Sequence, residues 1–260
     1  MKKNTSNLLK FIIVLIVFIT LVLVIIKLYN FVNLNSLKII IINLKRTADR
    51  KKHMENKMKK LNLSNYIFFE AVDGKHDLHK YNYKIMDIWF DPHNKTYINE
   101  GEIGCALSHH LVWKYIVENN ISKALILEDD TIFKTNFKEM YKKIINMNID
   151  YDMLYLSRNP LNNLFNLGPE ENYNELLVKS KYSHNLDGYI ITKAGCQKLL
   201  QTNFIYNLIV VDEFLPIMYD VDYPYKKFSK YFEKYEKLKT LALKNTIIKQ
   251  DKTYGSTIVE

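Results

Sequence analysis

A chain of 260 residues, 48% hydrophobic and 25% charged, can bury one sizeable core and is too short for two full domains. Its 19 tyrosines and 13 phenylalanines exclude a disordered chain. A net charge of +9 suits a membrane face or an anionic ligand such as a nucleotide diphosphate, and no zinc-ligand spacing or basic–aromatic repeat speaks for nucleic acid.

Residues 1–7 form a short tail containing Lys2 and Lys3. Residues 8–29 are apolar except for Lys10, Thr20 and Lys27. About 20 such residues cross a bilayer core, so the pattern predicts one transmembrane signal anchor. The leading lysines place the N-terminus in the cytoplasm and the rest of the chain in a lumen, as a single-pass type II protein of the endoplasmic reticulum or Golgi, or of a host membrane if viral. A cleaved signal peptide is the competing reading, although the apolar run is long for one. Residues 30–36 read as a linker and 37–260 as one folded domain.

Leu37–Leu44 is an isoleucine-rich run, the pattern of a strand buried on both faces. Asp49–Leu63 carries Met54, Met58 and Leu61 at helical spacing. Tyr66–Phe69 is a second strand, ending at the Asp73-Gly74 turn. Strand, helix, strand in this order predicts a mainly parallel α/β sheet. Asn99 and Glu102 predict a capping box opening a helix near Gly101. Residues 124–127, 153–156 and 188–191 are further strands, and 137–147 and 193–200 further helices. Residues 157–182 are irregular, and the Lys- and Tyr-rich tail from Tyr223 is expected to wrap the domain. Cys105 and Cys196 read either as a disulfide or as two buried thiols.

Chemistry concentrates at strand ends. Glu128, Asp129 and Asp130 follow a buried strand, where carboxylates crowded into a crevice call for a cation such as Mn²⁺ or Mg²⁺. A solvated acidic loop is the alternative. Asn43, Arg46 and Arg50 follow the first strand and suit an anion, or form an ordinary basic helix start. Asp73 could accept a ribose hydroxyl or merely belong to a turn. Gly104, Ser108 and His109 surround a helix start where backbone can approach a ligand. Adjacent His109 and His110 face different sides and are no helical metal pair. Asp212 and Glu213 lie between apolar runs, where desolvation would suit a general base; a helix N-terminus is the even alternative.

Seven stretches carry a resemblance: INLKRTADRKKHM (42–54), FFEAVDGK (68–75), INEGEIGCALSHHLVWKYIV (98–117), ALILEDDTIF (124–133), DYDMLYLSRNP (150–160), LDGYIITKAGCQKLL (186–200) and VDEFLPIMYD (211–220). In this order they resemble glycosyltransferase family 25, and the last and the DYDMLYLSR stretch resemble its procollagen galactosyltransferase branch. The resemblance implies a GT-A-like nucleotide-sugar-binding fold behind the transmembrane helix and a UDP-hexose donor, with galactose first. It also implies Mn²⁺ at Glu128, Asp129 and Asp130, and an inverting transfer to a hydroxyl acceptor on a collagen-like polypeptide or a glycan. Asp212 is the first choice of base and Glu213 the second. Asn43, Arg46, Arg50, Asp73, Gly104, Ser108 and His109 are expected around the donor. Residues 157–182, with Asn159, Asn162, Asn163 and Asn166, are expected to face the acceptor. Where the branch has a Ser-Asp-Thr-Glu-like ending, this chain offers Gly255-Ser256-Thr257, and no histidine follows His184.

Overall fold

The structure is a computed structural model that describes residues 2–253 apart from 94, 221 and 252, with backbone alone for 2–11, 27 and 29–33. Helix α1 (Lys2–Leu34) precedes β1 (Lys38–Asn43), α2 (Ala48–Leu61) and β2 (Tyr66–Glu70). Then come α3 (Glu100–Glu118), β3 (Lys123–Glu128), β4 (Thr131–Phe133), α4 (Phe137–Ile145) and β5 (Met153–Tyr155). Short strands β6 (Asn159–Pro160), β7 (Leu177–Lys179) and β8 (Ser183–His184) lead to β9 (Gly188–Thr192) and α5 (Lys193–Gln201). The chain continues through α6 (Val211–Tyr219), α7 (Lys226–Ser229), β10 (Thr240–Leu243) and β11 (Ile248–Gln250).

The central sheet has the order β2-β1-β3-β9-β5-β10-β7. β1 pairs in parallel with β2 and β3, and β10 with β5, whereas β9 and β7 run against their neighbours. The sheet is therefore mainly parallel, as expected, with two reversed strands. Both faces are covered. Ile40, Ile42, Ala124 and Ile126 point into one core with α3, α5 and α6. Ile39, Ile41, Leu125 and Leu127 point into the other with α2 and α4. Residues alternate between the two faces of a strand, so burial of both faces explains the unbroken isoleucine run. The expected capping box is present: Glu102 N donates to Asn99 Oδ1 at 2.9 Å, and Asn99 N donates to Glu102 Oε2 at 2.9 Å.

Two expectations need correction. The anchor expected at 8–29 falls on α1, yet among the described residues no helix is long and apolar enough to cross a membrane. The tail from Tyr223 does not merely wrap the domain either. It supplies β10, which is inserted between β5 and β7, and β11, which pairs with β4. Threonine, alanine and two leucines gave too short a run to stand out from the surrounding lysines. Cys105 and Cys196 both remain thiols.

Candidate functional site

Because β1, β2 and β3 run the same way, the residues after their carboxyl ends converge. They line a cavity of about 400 Å³ with Arg46, Arg50, Asp73, His109, Glu128 and Asp130 among its walls. Arg46 Nε donates to Asp73 Oδ2 at 2.8 Å, which ties the end of β1 to the turn after β2. The second glycine of the α3 motif, Gly104, serves close packing. A Cβ on Gly104 would sit 2.7 Å from the Val72 carbonyl and 2.8 Å from Gly74 N. Ser108 reinforces the same contact by accepting from Val72 N at 2.8 Å, although it also lines the cavity.

The three consecutive carboxylates have different fates. Asp129 is consumed: Asn43 Nδ2 donates to its Oδ2 at 2.7 Å, Thr47 Oγ1 lies 3.1 Å from the same oxygen, and Arg50 donates to Oδ1 at 3.2 Å. Asn43, Thr47, Arg50 and Asp129 thus form a buried clamp between β1, α2 and the end of β3, and Asp129 also lines the cavity. Asp130 is the opposite case. Its Oδ2 accepts from Gln250 at 3.2 Å, while its buried Oδ1 has no hydrogen-bond partner. Burial, reinforced by Asp129, raises its pKa to about 6. Glu128 is pushed well above the usual carboxylate range by burial and then by Asp130, Asp187 and Asp212. Crowded acid with one buried oxygen left without a partner makes Glu128 and Asp130 the residues that could hold a divalent cation.

His109 is fixed from behind. Trp113 Nε1 donates to the Tyr189 hydroxyl at 3.0 Å, and that hydroxyl lies 2.9 Å from His109 Nδ1. If the hydroxyl's single hydrogen goes to Nδ1, the His109 hydrogen is left on Nε2. That nitrogen is buried without a hydrogen-bond partner, 3.6 Å from Glu128 Oε1. Burial depresses the His109 pKa to about 3, so the ring is neutral.

A second cavity of about 300 Å³ shares Cys105, Glu128 and Gln250 with the first. Its other walls include Asp212 and Glu213 in the first turn of α6, His93 from a loop and His184 from β8. Asp212 is half-buried and accepts a long 3.3 Å bond from Asn185 N. Burial raises its pKa. Glu213 is 1% exposed and saturated by His184, His93, Tyr182 and Tyr223. Burial alone would raise its pKa, but these donors hold it at about 2. These contacts fix Glu213 in the cavity wall.

The profile of Glycosyltransferase family 25 (LPS biosynthesis protein) matches residues 36–215. The chain is 33% identical over 206 residues to the human protein named procollagen galactosyltransferase 2, covering 75% of this chain and 32% of that one. The chain belongs to glycosyltransferase family 25. It is also 34% identical over 223 residues to "Procollagen lysyl hydroxylase and glycosyltransferase" of Acanthamoeba polyphaga mimivirus, covering 80% of this chain and 24% of that one. A Drosophila melanogaster family-25 member is 34% identical over 204 residues, covering 76% and 33%. The chain therefore spans about a third or less of the length of these relatives. A solved glycosyltransferase involved in glycosylation of the major capsid of PBCV-1 has a TM-score of 0.30 and 10% identity, over 64% of this chain and 65% of that one.

Of the residues singled out in this family-25 chain, Arg46, Arg50, Asp73, Ser108, His109, Glu128, Asp129 and Asp130 line the first cavity and Asp212 and Glu213 the second. Asn43 and Gly104 lie behind the walls, in the clamp and the helix packing. Of the loop expected to face the acceptor, Leu161 reaches the second cavity, whereas Asn162 turns inward and donates to the Gly168 carbonyl at 3.0 Å. Gly255-Ser256-Thr257 lie outside the described residues. Sequence reasoning missed His93, Tyr182, His184 and Gln250, which sit in polar, aperiodic stretches. Only their residue types offered a signal.

Proposed function

We propose that this domain transfers a hexose, galactose first, from a UDP-sugar to a hydroxyl on a collagen-like polypeptide. The observation that carries this is the meeting of two cavities at Glu128, one with arginines and orphaned acid, the other with Asp212. Arg46 and Arg50 in the first cavity favour a diphosphate by charge. A divalent cation at Glu128 and Asp130 would supply charge stabilisation to the departing diphosphate. The His109 N–H faces the same space. In the second cavity Asp212 removes the acceptor hydroxyl proton as its oxygen bonds to the anomeric carbon. The bond from that carbon to the diphosphate breaks, UDP leaves, and the configuration inverts. The collagen-like acceptor draws its support from the names of the relatives and from the DYDMLYLSR and VDEFLPIMYD stretches.

The test offers radiolabelled UDP-galactose and UDP-glucose, with Mn²⁺ or with EDTA, to hydroxylated collagen peptide, unmodified collagen peptide and a lipooligosaccharide. Metal-dependent label on hydroxylated peptide alone is expected. Label on the saccharide alone would remove the collagen acceptor and keep the transferase.

A further inference from the structure

Away from Glu128, the wall of the second cavity holds four polar atoms from three distant parts of the chain. His93 Nε2 lies 2.6 Å from the Tyr182 hydroxyl and 3.1 Å from Glu213 Oε1. The Tyr182 hydroxyl lies 3.1 Å from His184 Nε2 and 2.6 Å from Glu213 Oε1. His184 Nε2 lies 2.8 Å from Glu213 Oε1. These are five contacts at hydrogen-bond distance. Each imidazole Nε2 and the phenol can place one hydrogen in this knot, and a carboxylate none. At most three hydrogens therefore serve five contacts, and the remaining contacts share a hydrogen or set lone pair against lone pair.

A cation removes that conflict, because the lone pairs of both imidazoles and the carboxylate can converge on it. Around a tetrahedral ion with ligand bonds of about 2.0 Å, ligand atoms stand about 3.3 Å apart. The observed 2.8 and 3.1 Å separations from Glu213 Oε1 fall only a few tenths short. We propose that His93, His184 and Glu213 bind a divalent transition ion of the zinc class, separate from the carboxylate site at Glu128 and Asp130. Two imidazoles and one carboxylate suit Zn²⁺, whereas an all-oxygen site suits Mg²⁺ or Mn²⁺. The Tyr182 hydroxyl touches all three ligand atoms and orients the carboxylate, and Tyr223 holds the other carboxylate oxygen. Both imidazoles are partly exposed, at 23% and 22% of their side chains, and line the cavity, so the ion keeps a position open towards it. The site ties the loop at His93 and strand β8 to the first turn of α6, next to Asp212.

The experiment strips the purified full chain of metal and titrates it with Zn²⁺, and with Co²⁺ as a spectroscopic probe. One ion bound with the absorption of imidazole-ligated Co²⁺ is expected. His93→Ala and His184→Ala should each weaken Zn²⁺ binding by at least about ten-fold. Asp130→Asn should leave Zn²⁺ binding unchanged, which separates the two sites and keeps this test independent of transfer activity. Circular dichroism verifies that the histidine variants fold. Should they not fold, the Co²⁺ spectrum of the wild-type chain decides alone. A wild-type chain without that spectrum, or folded histidine variants that bind Zn²⁺ as tightly as the wild type, would overturn the site.

Discussion

The end of β3 and the start of α6 repeat one arrangement with different partners. Each sets neighbouring carboxylates beside a cavity, saturates one and leaves another under-satisfied. At β3 the saturated member is Asp129, gripped by Asn43 and the Arg50 guanidinium. At α6 it is Glu213, gripped by two tyrosines and two histidines. The under-satisfied neighbours behave alike and unlike Glu213: Asp130 is raised to about 6 and Asp212 is raised as well, while Glu213 is held at about 2. Donors reaching a carboxylate, more than its burial or its acidic neighbours, decide whether it anchors the wall or remains available for chemistry.

The largest effect should come from the under-satisfied pair at β3. Loss of metal-assisted charge stabilisation is a matter of several kcal/mol, so the Glu128→Gln/Asp130→Asn double variant should lose about 10³-fold or more in kcat. Steady-state transfer to hydroxylated peptide, with Mn²⁺ binding followed in parallel, measures this; unchanged turnover would take the pair out of the site. Asp212→Asn should come next, with kcat lower by about 10²–10⁴-fold as for a lost general base and no loss of thermal stability. A drop in stability with kcat intact would make Asp212 another anchor and erase the contrast at α6.

The saturated members should show the reverse profile. Removing one partner of a buried, hydrogen-bonded charge costs about 3–5 kcal/mol, so Asp129→Ala and Glu213→Ala should each lower unfolding free energy by about that amount. Urea denaturation checks it, and two variants of wild-type stability would mean that saturation does not distinguish these groups. The smallest effect concerns α3. His109 and His110 are depressed to about 3 and about 4, chiefly by burial. Below the ordinary histidine pKa of 6.5 the unfolded chain takes up protons that the folded chain refuses. This contribution to stability is present above that pH and is lost as pH falls towards about 4. His110→Gln should flatten the fall of melting temperature between pH 6.5 and 4, and an unaltered slope would show that His110 titrates normally.

Much of the frame was legible in the residues. The isoleucine run of β1, the capping box of α3 and the βαβ order report local periodicity, which needs no knowledge of distant chain. The acidic triplet and the Asp212-Glu213 pair were equally visible as candidates. Their division of labour was not, because it depends on donors far away in sequence: Asn43 and Arg50 for Asp129, Tyr182 and His184 for Glu213, Gln250 for Asp130. The same reason hid β10, whose short run gains its identity only from β5 and β7 on either side.

The sequence by itself determined the α/β frame, the family and the strand ends where carboxylates gather, since burial patterns and motif order are local properties. Tertiary structure alone decided which carboxylates are saturated and which are left under-satisfied, and that His93 and His184 meet Glu213. Hydrogen-bond saturation is counted in space, and sequence adjacency carries no record of it.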